Sequence, residues 1–122
     1  MTLTIGMVTI DTGDALKLAE FWTAALRTEI QHDFGGEFLM LAPTTEGGVQ
    51  IGIQRVPDAV PGKNRVHFDM HVSDRVAEVA RLVELGATEL ATHTVPGLTW
   101  TVLADPDGNQ FCIGQEDQHP AG

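Results

Sequence analysis

One run of elements occurs twice in this chain, and that repetition limits the fold more than any single motif does. A strand over 3–10 (LTIGMVTI) opens it, and Asp11-Thr12-Gly13-Asp14 supplies turn residues and a helix N-cap. From 15 to about 26 the apolar positions 15, 18, 19, 22, 25 and 26 form one helical stripe, in which Trp22 is expected to be core. Short strands near 29–34 and 37–42 join at Gly35-Gly36. Residues 49–56 (VQIGIQRV) alternate as a half-buried strand with Val49, Ile51 and Ile53 inward.

After a Pro- and Gly-bearing connector the order begins again. Residues 66–72 (VHFDMHV) predict a strand, and Ser73-Asp74 caps a helix to about Leu85 with the stripe Val76, Val79, Ala80 and Val83. Gly86 stands where a glycine ends a helix. Strands near 87–92, 98–104 and 110–114 follow, the last two joined by a tight turn at Asp105-Pro106-Asp107-Gly108-Asn109. Met7 then corresponds to His67, Val8 to Phe68, Ile10 to Met70 and Asp14 to Asp74.

The expected fold class is α+β, two βαβββ units within one domain over 1–122. Repeat one covers about 3–56, a linker 57–65, repeat two about 66–115 and a polar tail 116–122. In each unit the helix covers one sheet face. If the units pair, the two remaining faces form a concave cleft where polar residues meet a ligand.

Charge narrows the partners. Seven Lys and Arg against 17 Asp and Glu give a net charge of -10, a field that repels phosphate backbones and anionic lipid. Neither nucleic acid nor a membrane is expected, and no apolar run approaches the roughly 20 residues that span a bilayer. A single cysteine and an N-terminal stretch without a basic segment point to the cytoplasm. There is no tyrosine to act as acid or nucleophile. GxSxG, phosphate-loop, GxGxxG, CxxC and HExxH patterns are missing, which sets aside those mechanisms.

The strand at 66–72 holds most of the chemistry. If Val66, Phe68, Met70 and Val72 point under the helix, His67, Asp69 and His71 share the other face. Two imidazoles flanking a carboxylate suit either an acid/base pair or metal ligation, and equally a polar ladder across the sheet. By the same alternation Gln50 and Gln54 lie opposite the apolar positions of their strand, with Gly52 leaving space between them. Cys112 lies opposite Phe111 and Ile113 and reads as a thiolate or as a small apolar filler. Trp100 is core or a flat wall for a ligand. His32, His93 and His119 show no partner pattern.

The double βαβββ order, Glu20-Phe21-Trp22, NRVHFDMHVSD over 64–74, RLVELGAT over 81–88 and LADPDGNQFCIG over 103–114 together resemble the vicinal oxygen chelate superfamily. Within it the chain is similar to the small glyoxalase-like proteins, also called glyoxalase/bleomycin resistance/dioxygenase domains. The resemblance covers nearly the whole chain. It implies that fold with its concave ligand cleft, and commonly a homodimer. It also implies metal ligands on the first and last strands of each repeat. Carried onto this sequence, those positions fall at Met7, near Gln50 or Gly52, at His67 and at Cys112, and only His67 is the customary residue.

Hard or borderline divalent ions bind thioether and neutral amide poorly. The expectation is therefore no resident cofactor, with zinc, nickel, iron or manganese as the ions to test at His67. Three readings stand open. One is a resistance-type protein that sequesters a small organic molecule through Met7, Gln50, Gly52, Gln54, His71, Trp100 and Cys112. Another is a metal-free lyase or isomerase with His67 as base and Asp69 orienting it. The third is a divalent-metal lyase or dioxygenase with atypical ligands.

Overall fold

A computed structural model describes residues 5–60, 62, 64 and 66–116. The elements run β1 (Met7–Thr12), α1 (Ala15–Leu26), β2 (Ile30–Asp33), β3 (Phe38–Leu41) and β4 (Gln50–Arg55). They continue with β5 (Asp69–His71), α2 (Arg75–Leu85), β6 (Thr88–Val95), β7 (Leu98–Ala104) and β8 (Gln110–Glu116). The chain divides into two units, 1–60 and 61–122. One holds a sheet of order β1-β4-β3-β2, the other a sheet of order β5-β8-β7-β6. In both, the opening strand pairs parallel with the last and the remaining pairs are antiparallel. The expected βαβββ order is present twice, with the same strand arrangement each time. The expected tail from 117 onward, and 61, 63 and 65 of the connector, lie outside the described residues.

In the first unit β1 starts at Met7 and runs on to Thr12, through two residues expected in the turn. Thr12 is fully buried, and its hydroxyl accepts from the Asp14 N–H at 3.2 Å. Asp14 then caps α1, its carboxylate accepting from Lys17 N–H. The helix buries Ala15, Leu18, Ala19, Phe21 and Trp22 over Leu39, Leu41 and Ile53. Phe21 lies outside the expected stripe and meets Trp22 edge-on at 5.1 Å, while Ala25 and Leu26 are only half-buried. Val49, expected inward, precedes the first ladder pair and is exposed. Gly35 and Gly36 do make the hairpin turn, both at positive φ.

In the second unit the strand expected over 66–72 is regular only at Asp69–His71. Val66 is exposed rather than tucked under the helix. The chain before β5 is instead held by Asn64, whose side chain accepts from Gln110 N–H at 2.7 Å and donates to Gln110 O at 3.0 Å. Cys112 N–H donates to Phe68 O at 2.8 Å, which carries the β5–β8 alignment back toward residue 67.

Asp74 caps α2 and Gly86, at φ 121°, ends it, as expected. The buried stripe differs from the expected one. Of Val76, Val79, Ala80 and Val83 only Val79 is buried, joined by Leu82, whereas Val76 is 67% exposed. Arg75 supplies the physical reason. Its guanidinium donates to the buried Thr101 hydroxyl at 2.7 Å and its N–H to the Gln115 side chain at 2.7 Å. Arg75, Val79 and Leu82 then follow the i, i+4, i+7 spacing of one helix face, which shares Val79 with the expected stripe but is turned away from Val76, Ala80 and Val83.

Of the strands after α2, β7 has the expected range, and the other two run longer. β6 continues to Val95 and meets β7 through Pro96-Gly97, and β8 continues to Glu116. Between β7 and β8, Asp105 is buried and accepts from the N–H groups of Asp107 and Asn109, each at 2.9 Å, and from the Asn109 amide.

Candidate functional site

Residues paired directly across a ladder point to the same side of a sheet, so register fixes which side chains share a face. In the second sheet Met70, Ile113 and Thr101 lie in one row, and Thr101 is the residue tied to α2. The neighbouring rows face away from the helix. One is Asp69, Cys112 and Val102; the next is His71, Gly114, Trp100 and His93. His67, two residues before Asp69, approaches that carboxylate, with Nε2 to Oδ1 at 3.4 Å. His67, Asp69, His71, Trp100 and Cys112, all singled out in the sequence, thus belong to one sheet face.

That face has a distinct relief. His67 and Asp69 are exposed, with Cys112 half-buried beside them, and one ligand atom from each of the three lies within 4.8 Å of the other two. In the next row Gly114 places no side chain between His71 and Trp100. A methyl group there would stand 3.4 Å from His71 Nδ1 and 3.7 Å from Leu98, ordinary contact distances. The far wall is Trp100 with His93, ring centroids 5.3 Å apart and 34° from coplanar. His93 gave no partner signal in the sequence. Counting back from the two-residue turn at Pro96-Gly97 would have found it opposite Trp100.

The first sheet carries the remaining expected residues. Met7 pairs with Gln50; one row runs Thr9, Gly52 and Met40, and another Asp11, Gln54 and Phe38, with the β4 residue in the middle of each. These rows alternate with those of Ile53 and Leu39, which α1 covers, so Met7, Gln50, Gly52 and Gln54 all face away from the helix. The Gln50 amide donates to the Gln31 side chain at 2.7 Å. The space expected over Gly52 is taken up. A methyl group there would meet Met7 Sδ and Thr9 Oγ1 at 3.0 Å and Phe38 Cζ at 3.1 Å.

The ligand set implied by the resemblance does not fit these residues. Its two places in the first unit hold a thioether, Met7, and either an amide already bonded to Gln31 or a glycine with no donor. A separate groove lined by Val76, Val79, Ala80 and Val83 runs along α2 and shares no residue with the face described above. Among the described residues no helix is long and apolar enough to cross a membrane.

Two four-stranded sheets built as βαβββ repeats, with polar and aromatic side chains gathered opposite the helix, define a protein of the glyoxalase/bleomycin resistance/dioxygenase fold. The family model for the glyoxalase-like domain matches residues 7–114, and the chain belongs to that family, within the vicinal oxygen chelate superfamily that its motifs resemble. Solved structures agree. A glyoxalase/bleomycin resistance protein/dioxygenase family enzyme from Burkholderia phytofirmans PsJN superposes with a TM-score of 0.78 at 21% identity, covering 94% of this chain and 100% of that one. A superfamily member from Sphaerobacter thermophilus DSM 20745 gives 0.71 at 22% identity, over 94% and 98% of the chains. Lactoylglutathione lyase from Agrobacterium tumefaciens gives 0.69 at 17% identity, over 92% of each. At these identities the likeness establishes the fold. No curated protein sequence matches the chain.

Proposed function

We propose that this protein binds a small organic molecule against the helix-free face of its second sheet and sequesters it, as a resistance-type member of the family. The observation that supports this reading is the row His71–Gly114–Trp100–His93. Gly114 is buried and puts no side chain between the imidazole and the indole, and the half-buried indole face offers stacking or cation–π attraction to a flat group. The charge of -10 favours a cationic ligand. The first unit offers a comparable face at Met7, Gln50 and Gln54, without an indole. A homodimer in the cytoplasm belongs to the same reading, and light scattering that returned the 13.1 kDa of one chain would remove the dimer.

Calorimetric titration with bleomycin and with simple cationic aromatic compounds tests the ligand class. Saturable binding that weakens about tenfold in Trp100→Ala, the upper end of what one aromatic contact contributes, supports it. Binding that is indifferent to Trp100 and to Gly114→Leu sinks it.

A second reading rests on the 3.4 Å approach of His67 to Asp69. A carboxylate that orients an imidazole equips it to take a proton next to a carbonyl. On that reading His67→Gln abolishes turnover of a carbonyl compound while its binding persists, whereas a sequestering protein has no turnover to lose.

A further inference from the structure

Three of the chain's five histidines, His67, His71 and His93, stand on the helix-free face of the second sheet. Two of them flank the indole of Trp100. His93 pairs with Trp100 across β6–β7, the ring centroids 5.3 Å apart and 34° from coplanar. His71 stands on the other side of Trp100, across Gly114. We infer that His71 and His93 select the charge of what binds at Trp100, accepting an organic cation while both imidazoles are neutral and releasing it when they are protonated. That control rests on this face being the ligand platform proposed above.

The spacing sets up a competition. A cation within about 6 Å of an aromatic centroid is attracted to the ring. His93 at 5.3 Å is already inside that distance, so its imidazolium draws on the same ring that a ligand cation uses. A protonated His71 repels the ligand cation from the opposite side. Both histidines are exposed and exchange protons with solvent directly.

The remaining charged groups on the face flank this row. Asp69 shares the row of Cys112 on one side, and Glu116 shares the row of Leu98 and Val95 on the other. From β7 the face receives Leu98, Trp100 and Val102, none of which titrates. His67 approaches Asp69 at 3.4 Å and lies nearer that carboxylate's row than the indole's. Imidazoles as a class change charge between pH 5 and 8, whereas carboxylates do so at lower pH. Acidification from pH 8 to 5.5 thus adds positive charge on both flanks of Trp100 without removing the carboxylates that draw a cation in.

Equilibrium dialysis of the full chain against N-methylquinolinium, whose charge is independent of pH, and against naphthalene, its neutral isostere, tests the inference. Two unit charges about 7 Å from a bound cation change its affinity about fivefold in low salt. N-methylquinolinium should therefore bind about fivefold more weakly at pH 5.5 than at pH 8, while naphthalene binds equally at both. In the double variant of His71→Gln and His93→Gln the pH dependence should vanish, whatever affinity remains at pH 8. Indole emission of the ligand-free chain gives a second readout. It should fall between pH 8 and 5.5, as the His93 imidazolium quenches Trp100, and stay level in His93→Gln. A cation affinity indifferent to pH, naphthalene weakening in step with the cation, or level emission in the unmodified chain would overturn the inference and leave the platform standing. Binding of neither probe at pH 8 would overturn the platform and its control together.

Discussion

Asp69 and Cys112 face each other across the parallel pair β5–β8, the place held by Thr9 and Gly52 in β1–β4. The two units repeat the same backbone arrangement, yet only the second puts a carboxylate against a thiol. Gly52 and Gly114 also differ: an added methyl would press on three side chains at 3.0–3.1 Å at the first, but would meet His71 and Leu98 at ordinary contact distances of 3.4–3.7 Å at the second.

That contrast can be measured. Alanine at either glycine reduces the entropy of the unfolded chain, which by itself stabilises by about 0.4–1 kcal/mol. At Gly114 the added methyl meets His71 and Leu98 at ordinary contact distances, which leaves most of the gain. At Gly52, Met7, Thr9 and Phe38 must all give way, so Gly52→Ala should be about 1 kcal/mol less stable than Gly114→Ala in urea unfolding. Equal midpoints would show that the space over Gly52 is not filled.

The two tryptophans report on different surroundings. Trp22 is 1% exposed, whereas Trp100 is half-buried on the helix-free face. Iodide should quench part of the native emission, and Trp100→Phe should leave a residual emission that iodide barely touches. Quenching that persists in the variant would place Trp22 within reach of solvent.

Asp105 ties its turn together through three accepted hydrogen bonds. Bonds to a charged acceptor contribute about 1.5–3 kcal/mol each, and their loss is only partly offset by water entering the turn. Asp105→Ala should therefore cost about 3 kcal/mol, with Asp105→Asn recovering part of it. A loss under about 1 kcal/mol in chemical denaturation would contradict the buried turn.

The rotated face of α2 makes its own prediction. Val79→Ala should cost about 1–3 kcal/mol, because the side chain is buried against the sheet. Arg75→Met should cost about 1–2 kcal/mol by stranding the buried Thr101 hydroxyl, although Thr92 retains one contact with it at 3.0 Å. An unchanged melting temperature for Arg75→Met would return the helix to the valine stripe.

At the C-terminal end of α1, Arg27 adopts φ 55° and ψ 46°, a left-handed conformation that costs a residue with a Cβ about 1–2 kcal/mol. Glycine removes that cost and adds about 0.5–1 kcal/mol of unfolded-state entropy. Arg27→Gly should raise stability by about 0.5–1 kcal/mol, seen as a higher urea midpoint. A lower midpoint would mean that the arginine side chain contributes more than the backbone strain takes away.

Much of this was legible along the chain because local rules suffice for it. Asp14, Asp74, Gly86 and the glycine pair at 35–36 mark element ends by hydrogen-bonding capacity or backbone freedom alone. Strand alternation put His67, Asp69 and His71 on one face. The α2 stripe was misread because valine hydrophobicity outweighed an arginine whose partner, Thr101, is distant in sequence. Val66 was misread because Asn64, through its bonds to Gln110, holds the chain before β5 out of a regular strand.

Element order, the repeat and the facing of each strand thus follow from periodicity and turn chemistry, which act over a few residues. Which residues become neighbours across strands depends on register, and register is set by contacts between distant segments. Cys112 beside Asp69, Gly114 between His71 and Trp100, and His93 against that indole all arise in this way. No spacing within a single strand encodes them.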